Sequence, residues 1–267
     1  MPIPERFAAV SLVTNPEYVM GAMVLAHSLR RVGWQHETVL LVTSEVPQLD
    51  RERLGRYWQR LVEVAPIENP NPQDQQGTAY FGTTYTKLRV WEQTDYSKLV
   101  FLDADTIVLD SLDELLNCPQ FGAAPCMGAL DMFNTGVMVV EPSKETLQDM
   151  VSKIAKLPSY DGSDQGFLNS YYPDWFSGPH EHRLPTRYNV PAIFYLYNAS
   201  WTRIKDSICV LHFFGPRKPW KVNSRLARAI HKRYVSAMFP TPKNGGISPF
   251  ELWWDAQSEV LAAEGAS

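Results

Sequence analysis

Short apolar runs alternate with segments of helical spacing along the first part of the chain. The run from Ala8 to Val13 predicts a strand, and Asn15 predicts the N-cap of a helix from Pro16 to Arg31. The runs from Thr38 to Val42 and from Leu61 to Ala65 predict two more strands. Strands that alternate with helices in this way indicate an α/β protein with a parallel, Rossmann-like sheet.

The rest of the chain continues the same pattern. Strands are predicted from Lys98 to Leu102, from Gly136 to Val140 and from Ile208 to Phe213. Helices are predicted from Thr83 to Thr94, from Ser143 to about Lys156, from Asn223 to Met238 and from Ser248 to Ala263. The segment from Glu68 to Gly77, rich in Pro, Asn and Gln, predicts a surface loop that could cover a ligand. We interpret residues 1–267 as a single domain.

Charge and cysteine content exclude some classes of partner. A net charge of -4 and a pI near 5.9 argue against a nucleic-acid-binding protein, which depends on neutralising phosphates. The three cysteines lack metal-type spacing, and their odd number favours a reduced compartment, with a Cys118–Cys126 bridge as the alternative. Without a signal peptide or a membrane-length apolar run, the chain is expected to be soluble and cytoplasmic, with no membrane partner.

Two carboxylates directly follow the apolar run that ends at Leu102. Because Asp103 and Asp105 are two residues apart, they face the same side of an extended chain and can converge on one cation. Mg²⁺ and Mn²⁺ favour oxygen donors of this kind, and such an ion commonly neutralises a diphosphate. An Asp-x-Asp pattern is common by chance, but the end of a buried strand is where α/β sheets open onto a ligand crevice.

An imidazole and a lysine flank a glycine-containing turn later in the chain. His212 lies at the end of a predicted strand, Gly215 permits close backbone approach to a phosphate, and Lys218 follows. An imidazole beside two carboxylates makes a mixed N/O site that suits Mn²⁺ better than Ca²⁺, and Lys218 would meet phosphate charge directly. The alternative is an ordinary strand-end histidine and a solvated lysine.

Two further polar segments could contribute to the same site. Asp161 and Asp164 flank a small-residue turn that starts a helix, for which helix capping by Asp164 is the simplest explanation. Asn134-Thr135-Gly136 precedes a predicted buried strand and forms either a turn or a polar cradle for sugar hydroxyls. The absence of Gly-x-Gly-x-x-Gly, Walker-type and Gly-x-Ser-x-Gly motifs argues against dinucleotide binding, ATP hydrolysis and a serine nucleophile.

Taken in order, these motifs resemble one enzyme family. The matching segments are Thr14-Asn15-x-x-Tyr18-x-x-Gly21, Thr86-Lys87-Leu88, Phe101-Leu102-Asp103-Ala104-Asp105-Thr106, Phe133-Asn134-Thr135-Gly136-Val137, Asp164-Gln165-Gly166 and His212-x-x-Gly215-x-x-Lys218-Pro219-Trp220. Together they resemble the glycogenin-containing retaining glycosyltransferases of family 8 over nearly the whole chain. The resemblance implies a GT-A fold, a single Rossmann-like mixed sheet flanked by helices, with a UDP-sugar donor, Mn²⁺ (or Mg²⁺) and retention at the anomeric carbon.

The resemblance also implies roles for individual residues. The metal would be held by Asp103, Asp105 and His212. The uridine would be held by Leu12, Thr14, Asn15 and Tyr18, and the diphosphate by Gly215 and Lys218, with Ala104 also in the donor site. The hexose would be surrounded by Lys87, Asn134, Thr135, Asp161, Asp164 and Gln165. Asp164 and Lys87 are the candidate catalytic residues; Asp164 would stabilise positive charge on the sugar ring or act as a transient nucleophile.

The expected activity is a retaining hexosyl transfer from a UDP-hexose to a hydroxyl of a glycan on a separate cytosolic protein. Galactose is favoured over glucose, because the chain is similar to the cytosolic glycogenin-related α-galactosyltransferases of protists. The alternatives are glycogenin-type self-glucosylation at Tyr195 or Tyr197, transfer of glucuronic acid, and a non-catalytic UDP-sugar-binding scaffold. A nucleotidyltransferase is disfavoured because its Gly-rich N-terminal loop is absent.

Two adjacent tryptophans lie near the C-terminal end of the sequence. Trp253 and Trp254 belong either to the core or to an interface between two copies. The second interpretation, together with the family resemblance, predicts a homodimer.

Overall fold

The predicted α/β organisation is present in the computed structural model, which describes residues 5–69, 83–196, 198–222, 224, 226–230, 233 and 248–265. The strands are β1 (Phe7–Val13), β2 (Glu37–Val42), β3 (Arg60–Glu63), β4 (Lys98–Leu102), β5 (Thr106–Val108), β6 (Gly122–Cys126), β7 (Ala129–Val140), β8 (Val190–Pro191) and β9 (Val210–His212). The α-helices are α1 (Val19–Arg31), α2 (Gln48–Leu54), α3 (Lys144–Lys153), α4 (Asp164–Tyr171), α5 (Asn198–Ile204) and α6 (Pro249–Gly265).

The main sheet has six strands in the order β3-β2-β1-β4-β7-β6. Strands β1 to β4 are parallel to one another, whereas β7 is antiparallel to both β4 and β6. The parallel sheet inferred from strand and helix alternation is therefore present for β1 to β4 only, and the mixed sheet implied by the family resemblance is confirmed. A tight turn joins β6 to β7, and an antiparallel pair of this kind needs no crossover helix.

Both faces of the sheet are buried, which explains why its strands are almost continuously apolar. Along β1, Ala9 and Val13 pack with α1 and α6, while Ala8 and Val10 pack on the other face with Trp91 and neighbouring apolar side chains. This alternation follows from the two-residue period of a strand. The rigid sheet fixes the positions of the polar side chains at the ends of β1 and β4.

Several predicted elements change in detail. The helix predicted from Pro16 begins with a 3₁₀ turn at Pro16–Tyr18, and the Asn15 side chain caps it by accepting from the Glu17 N–H at 3.0 Å. The helix predicted from Thr83 to Thr94 is a 3₁₀ helix, Thr84–Glu92. Strands β5, β6 and β8 were not predicted. Strands β5 and β8 have only three and two residues, and β6 contains the poor strand formers Gly122 and Pro125.

The structure also corrects two sequence interpretations. Cys118, Cys126 and Cys209 are free thiols, so the alternative Cys118–Cys126 bridge is wrong. Trp253 and Trp254 are buried in the core formed with α1, so the tryptophan pair provides no exposed surface for a dimer.

Most of the predicted helix from Asn223 to Met238 and of the predicted loop from Glu68 to Gly77 lies outside the described residues. In the described part of the chain, no helix has both the length and the apolarity needed to cross a bilayer.

Candidate functional site

Strand β4 delivers two carboxylates to the carboxyl-terminal edge of the sheet. Asp103 follows Leu102 and donates its backbone N–H to the Gly136 carbonyl in β7 at 2.9 Å. Its own carbonyl accepts from the Thr106 hydroxyl at 2.8 Å, which turns the chain into β5. Helix α1 lies against this turn so closely that a Cβ added at Gly21 would stand 2.4 Å from the Ala104 carbonyl oxygen. The turn is therefore held by β7, by its own hydrogen bond to Thr106 and by α1.

A second sheet, with three strands in the order β5-β9-β8, brings His212 to these carboxylates. His212 is more than one hundred residues away from them in the sequence. Thr106 in β5 pairs with His212 in β9, so the imidazole lies beside the turn that carries the two aspartates. Its Nε2 atom is 3.2 Å from Asp105 Oδ1 and 3.8 Å from Asp103 Oδ2. One ligand atom from each of the three residues lies within 4.8 Å of the others. His212 does lie at the end of a strand, but the alternative of an ordinary strand-end histidine does not account for its two carboxylate neighbours.

Two carboxylates and one imidazole nitrogen form a donor set that fits a divalent ion. Carboxylate oxygens suit Mg²⁺ and Mn²⁺, and the imidazole shifts the preference towards Mn²⁺. All three side chains lie at the ends of strands in the two sheets: the aspartates lie between β4 and β5, and His212 ends β9. The backbone hydrogen bonds of the sheets therefore position them before an ion binds.

Lys87 joins the metal candidates to a second group of polar side chains. Its ammonium group lies 3.0 Å from Asp103 Oδ1, 2.9 Å from Asp164 Oδ2 and 3.2 Å from the Thr135 hydroxyl. The same hydroxyl donates to Asp164 Oδ2 at 2.7 Å. An ammonium group has three protons, and these three partners account for all of them. Lys87 therefore fixes the spacing between Asp103 and Asp164.

Lys218 occupies a similar position on the other side of the aspartate pair. Its ammonium group pairs with Asp105, donates to the Phe213 carbonyl at 3.0 Å and lies 5.5 Å from the centre of the Tyr18 ring. Only 5% of its surface is exposed, so the interpretation as a solvated lysine is wrong.

Burial and charge act in opposite directions on these groups. Burial raises the pKa of Asp103, and the Lys87 ammonium only partly offsets this because the Asp105 charge also raises it. Burial would likewise raise the pKa of Asp105, but His212 and Lys218 outweigh it and hold that pKa below its usual range. Burial would lower the pKa of Lys87, yet Asp103 and Asp164 raise it above its ordinary value. Lys87 is therefore an ammonium ion at neutral pH.

The predicted hexose-binding residues Asn134 and Gln165 lie in a second hydrogen-bonded chain. Asn134 donates its side-chain N–H to Gln165 Oε1 at 2.6 Å, and Gln165 donates to the Tyr160 hydroxyl at 2.7 Å. Asn134 and Thr135 lie within β7, not in a turn before a strand. Successive residues of a strand point to opposite faces. The Asn134 side chain therefore contacts Gln165, whereas the Thr135 side chain contacts Lys87 and Asp164.

Asp161 and Asp164 have different surroundings. The helix-capping role proposed for Asp164 is wrong, because Ser163 is the N-cap of α4 and its hydroxyl accepts from the Gln165 N–H at 3.1 Å. Asp161 accepts hydrogen bonds from the backbone of Ser163 and Gly166 within the loop. Asp164 instead points to Lys87, which places its carboxylate in the site.

The remaining predicted donor-site residues lie around the same sheet edge. Leu12, Thr14, Asn15 and Tyr18 follow one another at the end of β1, the parallel neighbour of β4. Ala104 is buried between the two aspartates. Gly215 has a φ of 83°, in the left-handed region that favours glycine, and an added Cβ would meet no atom within 4 Å.

Sequence reasoning missed two residues that contact His212. Asn189 lies 2.9 Å from its Nδ1 atom, and a Cβ added at Gly136 would stand 2.2 Å from its Cε1 atom. Gly136 was quoted only as part of a motif, and Asn189 precedes a two-residue strand that leaves no periodic signal. An asparagine surrounded by Tyr188 and Val190 in a buried segment was the available clue, since a buried amide needs partners.

A mixed sheet that presents an Asp-x-Asp pair at the end of a central parallel strand defines the GT-A class of glycosyltransferase folds. The chain belongs to glycosyl transferase family 8, whose sequence profile matches residues 9–224, and it is glycogenin-like. It is 41% identical over 217 residues to Glycogenin-1 of Caenorhabditis elegans, covering 80% of this chain and 50% of that protein. It is 35% identical over 233 residues to Inositol phosphorylceramide glucuronosyltransferase 1 of Arabidopsis thaliana, covering 80% of this chain and 42% of that protein.

Solved structures agree on the fold. The galactosyltransferase LgtC matches with a TM-score of 0.60 and 21% identity, over 89% of this chain and 98% of that one. The glycosyltransferase GlyE of Streptococcus pneumoniae matches with a TM-score of 0.62 and 18% identity, over 98% of this chain and 63% of that one. The chain spans about half the length of the glycogenin from Caenorhabditis elegans and of human Glycogenin-2, with which it shares 36% identity over 263 residues, 95% of this chain.

Proposed function

We propose that the protein is a retaining, Mn²⁺-dependent α-glycosyltransferase that moves a hexose from a UDP-hexose to a glycan hydroxyl on a separate protein. The observation that carries this proposal is the convergence of Asp103, Asp105 and His212 beside the Lys87–Asp164 pair. Family membership supports the reaction class. Mg²⁺ is the alternative ion.

The charges of the site support a diphosphate ligand. The site holds three carboxylates and two ammonium groups, so one negative charge is uncompensated when His212 is neutral. These groups are Asp103, Asp105 and Asp164 with Lys87 and Lys218. A divalent ion held by Asp103, Asp105 and His212 would reverse the sign of the cluster, and when bound it would act as a Lewis acid towards the departing UDP. A positive cluster favours an anionic leaving group.

The two lysines would contribute differently. Lys218 uses two of its three protons on Asp105 and the Phe213 carbonyl, which leaves one for a phosphate oxygen. Lys87 has no proton left for a substrate, because Asp103, Asp164 and Thr135 take all three. We infer that Lys218 binds the diphosphate and that Lys87 acts by holding Asp164.

Asp164 would act on the sugar. Its Oδ2 atom accepts from Lys87 and Thr135, so the carboxylate has one orientation before the donor binds. A fixed carboxylate stabilises positive charge that develops on a sugar ring, and it could also attack the anomeric carbon. Breaking the bond to UDP leaves electrons on the phosphate oxygen, which can take the proton of the acceptor hydroxyl.

The choice of hexose stays a prediction from the sequence resemblance, with galactose ahead of glucose. For the acceptor, Tyr195 is partly buried against the core, with its ring 5.4 Å from the Trp201 ring in an edge-on contact. This packing gives Tyr195 a structural function and supports an acceptor on another molecule. Tyr197 lies outside the described residues.

The test measures Mn²⁺-dependent release of UDP from UDP-galactose, UDP-glucose and UDP-glucuronic acid, followed by NMR of the product anomer and by intact mass of the protein. We expect release from UDP-galactose, an α product and no gain of mass. Asp103→Asn should reduce release to background with the fold preserved, whereas Asp149→Asn, on the exposed surface of α3, should leave it unchanged.

Each contrary outcome points to a different function. A ladder of hexose masses on the protein indicates self-glycosylation, and release from UDP-glucuronic acid alone indicates a glucuronosyltransferase. UDP-sugar binding without turnover under any condition indicates a scaffold. Unchanged turnover in Asp103→Asn would contradict the proposed metal-dependent mechanism.

Cytoplasmic location and a homodimer are part of the same proposal. Trp253 and Trp254 are buried within one chain, so a dimer would have to use other surfaces. Light scattering at micromolar concentration measures the mass, and a monomer would contradict the dimer without affecting the proposed chemistry.

A further inference from the structure

Asn189 lies between the candidate metal site and the candidate hexose site. Only 3% of its surface is exposed, and its side chain has partners on both sides. Its Oδ1 atom is 2.9 Å from His212 Nδ1, and its Nδ2 atom is 2.8 Å from Asn134 Oδ1. A buried amide satisfied at both ends has a single orientation.

The backbone N–H of Gly136 determines the direction of each hydrogen bond in the series from Asn134 through Asn189 to His212. The Gly136 N–H can only donate, and it meets the Asn134 side chain at 2.9 Å, so the atom it meets is the carbonyl oxygen. That oxygen also faces Asn189, which must therefore present its NH₂ group to it. The remaining atom of the Asn189 amide, its oxygen, faces His212.

The protonation of the imidazole follows in turn. An amide oxygen only accepts, so His212 Nδ1 carries a proton and donates it to Asn189. In neutral His212 the lone pair is then on Nε2, the atom that faces Asp105 and Asp103. Metal-binding histidines commonly donate their second ring N–H to an oxygen, which fixes both the tautomer and the ring orientation.

We propose that Asn189 is a positioning residue that holds His212 in the Nδ1-protonated tautomer, with Nε2 directed at the metal. This inference rests on the metal-dependent function proposed above. Gly136 packs directly against the imidazole, since a Cβ at this position would stand 2.5 Å from His212 Nδ1. The imidazole is thus held between Gly136 in β7 and the Asn189 amide.

Two variants of Asn189 separate this function from general stability. Asn189→Leu removes the acceptor for His212 and the donor for Asn134 at similar volume. Asn189→Asp keeps an acceptor for His212 but loses the donor. Asn169→Leu is the matched control, since the Asn169 amide also bonds to β7, through the backbone of Phe133, and has no hydrogen bond to His212 among the described residues.

The first readout is Mn²⁺ affinity in the presence of UDP, measured by titration calorimetry on folded protein. Loss of an outer partner of a metal ligand typically weakens metal binding about 10- to 100-fold, and we expect this for Asn189→Leu. Asn189→Asp should bind within several-fold of the wild type and Asn169→Leu should bind like it, while melting curves report any loss of stability in all three.

The second readout is the ¹⁵N spectrum of histidine in the Mg²⁺–UDP complex, with the His212 signal identified from its absence in His212→Asn. The wild type and Asn189→Asp should show a pyrrole-type Nδ1, and Asn189→Leu should show a mixture of tautomers. Equal Mn²⁺ affinity and the same tautomer in Asn189→Leu would overturn the inference alone. A wild type that binds no divalent ion would overturn the proposed function as well.

Discussion

Replacing Lys87 by methionine tests whether the site is held together by charge. Lys87 is 7% exposed and is the ammonium group between Asp103 and Asp164. Methionine keeps most of the length and the apolar stem but removes the charge. The buried carboxylate of Asp164 and the partly buried one of Asp103 would then lose the ammonium group that lies between them, while Asp164 keeps the Thr135 hydroxyl.

The expected loss of stability is large. Removing one partner of a buried ion pair typically costs about 3–5 kcal/mol, because the remaining charge stays buried without compensation. At about 2–4 °C per kcal/mol for a domain of this size class, Lys87→Met should melt about 6–20 °C below the wild type. The pKa of Lys87 is raised in the folded state, so its contribution is complete at neutral pH.

Acid should relieve this loss. Without Lys87, burial and the neighbouring Asp105 charge would raise the pKa of Asp103 further above its usual range. The penalty is largest while Asp103 is charged, and it falls as this carboxylate takes up a proton. The difference in melting temperature between wild type and variant should therefore be smaller at about pH 5 than at neutral pH.

Thermal melts followed by circular dichroism provide the measurement, with two comparison variants. Lys87→Met/Asp164→Asn should recover part of the loss because it removes one of the stranded charges. Lys153→Met, which breaks an exposed pair with Asp149, should change the melting temperature little. If Lys87→Met melts like the wild type, or if the double variant is less stable still, the charge argument is wrong.

Three further predictions test other parts of the structure. Gly136→Ala should weaken Mn²⁺ binding in a folded protein because its Cβ would displace His212, whereas Gly128→Ala, with no atom within 4 Å, should bind normally in the same titration. Arg53 holds the pKa of Glu264 below its usual range, so this pair stabilises the fold above roughly pH 4.3 and loses that effect as pH falls. Urea midpoints of the wild type and Glu264→Gln should accordingly converge in acid. Mn²⁺ at one hundred times its Kd should raise the free energy of unfolding by about 2.7 kcal/mol, measured by melting with and without EDTA.

The parts of the site that could be predicted share one property: they are encoded locally. Asp103 and Asp105 follow an apolar run directly, so strand geometry alone places them side by side at a sheet edge. Asn15 was predicted as a helix cap from its neighbours, and the cap is present. His212 was proposed beside the aspartates from its residue type and from the family resemblance, and the pairing of β5 with β9 brings the three side chains together.

The parts that could not be predicted depend on contacts between distant segments. Nothing near Lys87 in the sequence indicates that it lies between two acids, one of them 77 residues further along the chain. The same is true of Asn189, whose two partners lie in β7 and β9. The antiparallel direction of β7 was not predicted from the pattern, because its tight-turn partner β6 was missed and polar residues in the first half of β7 hid its true start at Ala129.

These distant contacts explain how the site keeps its shape while carrying opposing charges. Lys87 uses all its protons within the protein, so its electrostatic effect is already directed at Asp103 and Asp164 before any ligand arrives. Lys218 and the imidazole Nε2 of His212 each retain capacity for a ligand on the side of Asp105. Preorganised charge of this kind stabilises a leaving group without rearrangement during the reaction. We therefore expect the Lys87–Asp164 pair to keep the site rigid, and Lys218 with His212 to contact the ligand.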